Sequence, residues 1–385
     1  MNASSNEKEC RSSQFERPLG RFPPHAQSRP APPFQMKYTT FFLSLLSACS
    51  LAVRAEDASN QPKEIGPDDA NIHYVGRFDT LHGAPRCSWP NSAVVVRFDG
   101  TDLSVNVREK RGLQKIPGDF WQVVVDGEPT DKINLEDGEH IYSLASGLAP
   151  GQHTVEFVKA DQSMHGITQI LGFRLDKGGK LLPTRPLPKR MEIIGDSISC
   201  GVSIEGEPET PESTNAYFSY GAITARNIGA ELMNISWSGK TLDAVKGMPA
   251  IYERIVPEYG SKWDYAKWIP DIIVINLSTN DYLQRMIQAD TEKWIAGYKT
   301  FVARLRGYYP NAQIYCLTSP MLQGDRHTST RDDIDRVVGD LAAAGDKNIH
   351  LVDINPMPEG IRGHPDRQVH EEMAKRLTEA IKGSL

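Results

Sequence analysis

Ser197 stands in the run Ile193-Ile194-Gly195-Asp196-Ser197-Ile198-Ser199-Cys200-Gly201, a short apolar strand feeding a Gly/Ser-rich turn. That pattern puts the serine hydroxyl at a strand's carboxyl end. A hydroxyl becomes a useful nucleophile beside a base, and its attack on an acyl carbon needs N–H donors for the oxyanion. Two further strands end in turns that should open onto the same face: Asn234-Ile235-Ser236-Trp237-Ser238-Gly239-Lys240 and Asn276-Leu277-Ser278-Thr279-Asn280-Asp281. Gly239 can offer its backbone N–H without steric obstruction, and the Asn280 side-chain amide can offer another. With the Ser197 amide they could form an oxyanion hole. Each has a plainer reading alone: a hydrogen-bonding turn serine, an ordinary strand-to-helix turn, a helix cap or Asx-turn.

Serine acyl transfer near neutral pH calls for a histidine base. Of the ten histidines, those at 73, 82, 140, 153 and 165 fall in a β-rich half, where structural or surface roles are expected. His364-Pro365 falls in the loop between the last strand and the last helix, where the imidazole could face Ser197. His370, inside that helix, reads as a packing or hydrogen-bonding residue.

The elements that must position these groups come in two rhythms. From Ile72 to Leu182 short β-rich runs alternate with turn signals: Ala93–Phe98, Leu103–Val107, Trp121–Val125, His153–Val158 and Ile170–Leu175. Asp99-Gly100 and Asp126-Gly127 predict hairpin turns, and Pro150-Gly151 marks a further connection. This half, 72–182, reads as a β-sandwich. The three prolines of 183–188 suit a linker. From 189 to 385, apolar strands (Met191–Ile194, Leu232–Ile235, Asp271–Leu277, Gln313–Leu317, Ile349–Val352) alternate with helical stretches (Ala216–Ile228, Thr291–Tyr308, Arg331–Ala344, Arg367–Ile381). Such alternation predicts a parallel sheet with helices on both faces, in a three-layer α/β domain whose site lies beyond the carboxyl ends of the strands.

A chain of 385 residues fits two domains, and a formal net charge of −6 offers no basic footprint for nucleic acid. Residues 1–35 carry no apolar periodicity and read as a disordered or misassigned leader. Met36 and Lys37 precede an apolar run, Phe41 to Val53, with Val53 and Ala55 acceptable to signal peptidase, so 36–55 reads as a signal peptide. The run is too short to span a membrane. The expectation is a secreted or periplasmic protein. Leu46-Ser47-Ala48-Cys49 also fits a lipobox, which would leave Cys49 lipid-anchored. After cleavage Cys87, Cys200 and Cys316 remain, an odd number at wide spacing that argues against a disulfide framework or a zinc site.

Taken in order, Gly195-Asp196-Ser197, Gly239, Asn280-Asp281 and His364-Pro365 resemble the four blocks of the SGNH (GDSL-type) hydrolases, a superfamily of serine esterases and lipases. The stretch from Asn215-Ala216-Tyr217-Phe218-Ser219-Tyr220-Gly221-Ala222 to Trp237-Ser238-Gly239-Lys240, with Trp263-Asp264-Tyr265-Ala266-Lys267-Trp268, is similar to carbohydrate esterase family 2. Ser88-Trp89-Pro90, Val125-Asp126-Gly127 and Gly147 to His153 look like that family's N-terminal jelly roll. The resemblance implies removal of O-acetyl groups from acetylated xylan, glucomannan or oligosaccharides. It implies Ser197 as nucleophile, His364 as base, the Ser197, Gly239 and Asn280 N–H groups as oxyanion donors, and no cofactor. A lipase or thioesterase on the same blocks, or a catalytically weak carbohydrate-binding protein, are the alternatives. The chain departs from the pattern in three places. Ile361 stands where an acid often precedes the histidine, Gly363 where the family often has Trp, and Ser278 where the third block usually has Gly. Glu359 and Asp366 are the nearby acids. Asp196 and Asp281 are expected to buttress loops, and Trp237 and Trp268 to belong to the core.

Overall fold

The computed structural model describes residues 62–384 except 82, 113–118, 259–260, 284–289 and 359–362. The leader and signal-peptide readings, with Cys49, lie outside the described residues, as do Glu359 and Ile361.

The first half is a pair of antiparallel sheets. One orders Lys63–Ile65, Gly166–Leu175, Leu103–Arg111 and Gly138–Ala145, with Arg86–Cys87 also on Gly166–Leu175. The other orders Lys180–Leu182, Ala93–Gly100, Gly151–Lys159, Phe120–Val125 and Glu128–Asn134, with Ile72–Val75 on Ala93–Gly100. Alternate residues of both sheets, among them Val96, Phe98, Val105, Trp121, Phe157 and Phe173, meet in one apolar core. Asp126 and Gly127 both take positive φ, 51° and 89°, and close a two-residue hairpin. Asp99-Gly100 does not. The strands on either side of it belong to different sheets, so the chain crosses over there, and Gly100 lacks the left-handed backbone of a tight hairpin. An Asp176 oxygen accepts the Thr101 N–H at that corner, at 3.2 Å.

The second half carries five parallel strands: β1 (Lys189–Gly195), β2 (Ala230–Ser236), β3 (Ile272–Asn276), β4 (Gln313–Leu317) and β5 (Ile349–Val352), in the order β2-β1-β3-β4-β5. Its helices are α1 (Ser197–Cys200), α2 (Tyr220–Ile228), α3 (Thr279–Leu283), α4 (Thr291–Tyr308), α5 (Asp325–Ala343) and α6 (Arg367–Ser384). α4 and α5 cover one sheet face, α2 and α6 the other. Every residue of β2 and β3 is therefore buried, and β3 reads as a nearly continuous apolar run, while β2 also buries Glu231, Asn234 and Ser236. α5 starts six residues before the predicted Arg331, because its first turns, Asp325 to Thr330, are polar and show no apolar period. Strand order reverses between β1 and β3, and a crevice opens there.

The two halves pack as one unit. Arg77 crosses from the first half to Glu192 of β1 at 2.9 Å, Asn91 accepts from Asn234 of β2 at 2.9 Å, and Asn215 donates to Gln122 at 3.1 Å. Among the described residues no helix is long and apolar enough to cross a membrane.

Candidate active site

β1 ends at Gly195, and Asp196 caps the single turn of α1, its Oδ1 accepting the Ile198 N–H at 3.0 Å. That cap fixes Ser197 at the head of the turn, beside the strand-order reversal. Burial pushes the Asp196 carboxyl up to about 6 against the pull of the Ile198 N–H. His364 comes from the loop before α6, and its Nε2 lies 2.6 Å from Ser197 Oγ. The two are 167 residues apart in sequence.

Gly239, after β2, has φ of +76°, a left-handed conformation that a side chain would strain. Among the described residues, the N–H groups of Ser197 and Gly239 meet no protein acceptor. Asn280, the second residue of α3, lies in the same cavity wall, but its amide is engaged. Nδ2 donates to Lys240 O at 3.0 Å and to Asp196 Oδ2 at 3.3 Å. Both neighbours are acceptors only, which fixes the orientation of the amide. Asp281 accepts the Leu242 N–H on both oxygens at 3.2 Å and so holds the loop beyond Gly239. Burial raises its carboxyl to about 7.

Ser278 is buried and avoids positive φ, so a serine fits where glycine is usual. His370 is fully buried in α6, its Nδ1 accepting the Tyr220 N–H at 3.1 Å, and burial depresses its pKa to about 3. Asp366 faces away from His364 Nδ1: it accepts the Val369 N–H at 3.0 Å and starts α6. The acid that meets His364 Nδ1 is Glu209, in the loop after α1. Nothing in the sequence pattern singled it out. Trp268 is buried in the core under β2 and donates to Glu231 at 3.4 Å, and Trp237 packs against the same core.

A cavity of about 380 Å³ opens over Ser197, Gly239, Asn280 and His364. Its far wall comes from the first half: Gln162, Met164 and His165. His165, expected from the sequence in a structural or surface role, has its Nδ1 2.6 Å from buried Asp161, and its ring also lines the cavity. Gln162 accepts a hydrogen bond from Ser238, next to Gly239, so the first half also braces the turn that carries Gly239. Cys87, Cys200 and Cys316 are separate buried thiols.

Residues 74–184 match the family model for the carbohydrate esterase 2 N-terminal domain, and residues 193–384 that of the GDSL-like lipase/acylhydrolase family. Cellulase/esterase CelE of Acetivibrio thermocellus is 37% identical over 86% of this chain, which spans 41% of that longer protein. An acetylxylan esterase/glucomannan deacetylase of Cellvibrio japonicus is 26% identical, with 88% of this chain and 94% of that one covered. Among solved structures, a family two carbohydrate esterase from Clostridium thermocellum in complex with cellohexaose matches with a TM-score of 0.75 and 35% identity. That match covers 82% of this chain and 100% of that one. A sandwich fused to a five-stranded α/β domain, a Ser–His pair at its crevice and these matches along both halves agree, and the chain belongs to carbohydrate esterase family 2.

Proposed function

We propose that this protein is a serine esterase that removes O-acetyl groups from carbohydrate, acting on acetylated xylan, glucomannan or their oligosaccharides. The observation that carries the reading is the 2.6 Å contact of His364 Nε2 with Ser197 Oγ at the floor of an open cavity. Ser197 Oγ attacks the acetyl carbonyl carbon as its proton passes to His364 Nε2. The carbonyl oxygen, now anionic, accepts from the Ser197 and Gly239 N–H groups and from Asn280 Nδ2. When the tetrahedral centre collapses, His364 Nε2–H protonates the departing sugar oxygen and leaves acetyl on Ser197. Water, losing a proton to Nε2, then releases acetate and restores the serine.

Gln162, His165, Glu209 and Thr210 in the cavity wall offer hydrogen-bonding partners to a hydroxyl-rich substrate, and Met164, Val202 and Met321 offer apolar surface to a sugar face. The activity of the Cellvibrio relative and the oligosaccharide held by the Clostridium structure support a polysaccharide substrate. Reading 36–55 as an export signal supports action outside the cytoplasm, as a soluble protein or one anchored at Cys49.

Acetate release from acetylated xylan, acetylated glucomannan and an aryl acetate tests the reading. The parent should turn over, and Ser197→Ala and His364→Ala should each lose about 10³-fold or more in kcat. A folded parent that releases nothing from any of the three overturns it.

A further inference from the structure

An imidazole that accepts a proton at Nε2 must carry one on Nδ1, and the group facing Nδ1 decides whether it does. Facing Nδ1 of His364 is a carboxylate oxygen of Glu209, within hydrogen-bond reach, while Nε2 of the same ring addresses Ser197. We propose that Glu209 is the positioning residue of the hydrolytic machinery: it holds His364 as the Nδ1–H tautomer and stabilises the imidazolium formed when Ser197 attacks. The proposal rests on the serine esterase reading. It also gives the acid a new origin, the loop between α1 and α2 in place of the loop that carries the histidine.

Three features outside the contact point the same way. The loop is built to hold a side chain still. Ser213 Oγ donates to Pro208 O at 2.7 Å and accepts from the Thr210 N–H at 3.0 Å, and Thr214 Oγ1 donates to Thr210 O at 2.9 Å. The first half clamps its base, with Lys132 Nζ 2.6 Å from Glu205 Oε2 and 3.0 Å from Thr214 O. Next, Gly363 has φ of +77°, and a Cβ there would come 2.8 Å from Glu207 Oε1 and 3.5 Å from Glu209 Oε1. The two loops thus run close together at position 363, and its left-handed backbone favours glycine where the family often has tryptophan. Finally, Ile361 stands at the usual acid's position, and Asp366, the described acid nearest His364 in sequence, is spent on the first turn of α6, while Glu359 lies outside the described residues.

A buried carboxylate in this role is worth about 10⁴ in kcat. The Glu209 side chain is 46% exposed, so water shares the developing charge and the expected loss is smaller, about 10- to 100-fold. The test is aryl acetate hydrolysis by the full chain carrying Glu209→Ala, Glu209→Gln or Glu209→Asp, each checked by circular dichroism. We expect kcat to fall about 10- to 100-fold in the Ala and Gln variants with KM within about twofold, and Asp to recover part of the loss. The proton NMR spectrum of the parent should show a downfield Nδ1–H resonance that Ser197→Ala keeps and Glu209→Ala loses. A folded Glu209→Ala protein with kcat within about twofold of the parent overturns the proposal, as does an Nδ1–H resonance that survives it. A parent without esterase activity would sink the serine esterase reading instead, and the resonance would still report on Glu209.

Discussion

Arg77 joins the two halves through the most deeply buried charges they share, so replacing it by methionine tests whether the halves are one cooperative structure. Its guanidinium donates to Tyr252 O, to Arg254 O at 3.1 Å and to Glu192 Oε1 at 2.9 Å, and stacks over Tyr252 and Trp263 at 4.9 and 5.4 Å. Both charged side chains are 0% exposed. Burial already pushes the Glu192 carboxyl upward, and Arg77 opposes that shift. Arg77→Met keeps most of the volume and strands Glu192 beside Tyr252. Breaking a buried pair from one side costs about 3–5 kcal/mol, a large share of the stability of an ordinary domain. Urea unfolding should be followed by tryptophan fluorescence and by far-UV circular dichroism, with Arg77→Met/Glu192→Gln alongside. The single variant should lose about 3–5 kcal/mol, and the double should regain part of it because no charge is left buried. A loss below about 1 kcal/mol, or a double variant no better than the single, would refute the reasoning.

Asn280→Ala removes one oxyanion donor while leaving the Ser197 and Gly239 amides, and should lower kcat for aryl acetate about 10²- to 10³-fold with little change in KM. Unchanged kcat would show that the amide only ties Lys240 O to Asp196. Asp281 gives a pH signature. Its folded pKa, about 7, lies above the ordinary 3.8, so between those values the folded chain holds a proton that the unfolded chain has lost. Its contribution to stability is thus full at low pH, falls by about 4 kcal/mol as pH rises from about 4 to 7, and is flat beyond. Asp281→Asn retains an oxygen for the Leu242 N–H and should be more stable than the parent at pH 8, with that slope removed. Equal urea midpoints for the two proteins at pH 5 and pH 8 would contradict it.

The readable parts of this chain were those whose physics is local. β1, β2 and β3 are covered on both faces, so each has a mostly apolar centre, and α4 shows Asp290 capping Lys293 N at 3.2 Å just before its apolar stripe begins. Ser197, Gly239 and Asn280 each sit within four residues of a strand end and His364 just before the last helix, where short turn motifs stand out in the sequence. The exposed strand Glu128–Asn134 escaped notice because its charged residues and proline give no period-two signal. Asp99-Gly100 misled because a sheet-to-sheet crossover and a hairpin use the same residues. Glu209 was invisible for another reason: it lies 155 residues from His364, and no rule of local spacing links them.

That last point bears on what the sandwich is for. Were it a tethered binding module, its residues would stop at an interface remote from the chemistry. Instead the turn from Asp161 to His165 reaches the cavity over Ser197, and Gln162 holds Ser238 beside the Gly239 amide. Lys132 clamps the base of the loop that brings Glu209 to His364. Each contact leaves the first half and ends within a few residues of Ser197, Gly239 or Glu209. The α/β half carries Ser197, His364 and the proposed oxyanion donors, but the loops that carry Gly239 and Glu209 take part of their support from the sandwich. The unit that defines the site is therefore both halves together, with Arg77 and Glu192 as the buried bolt between them.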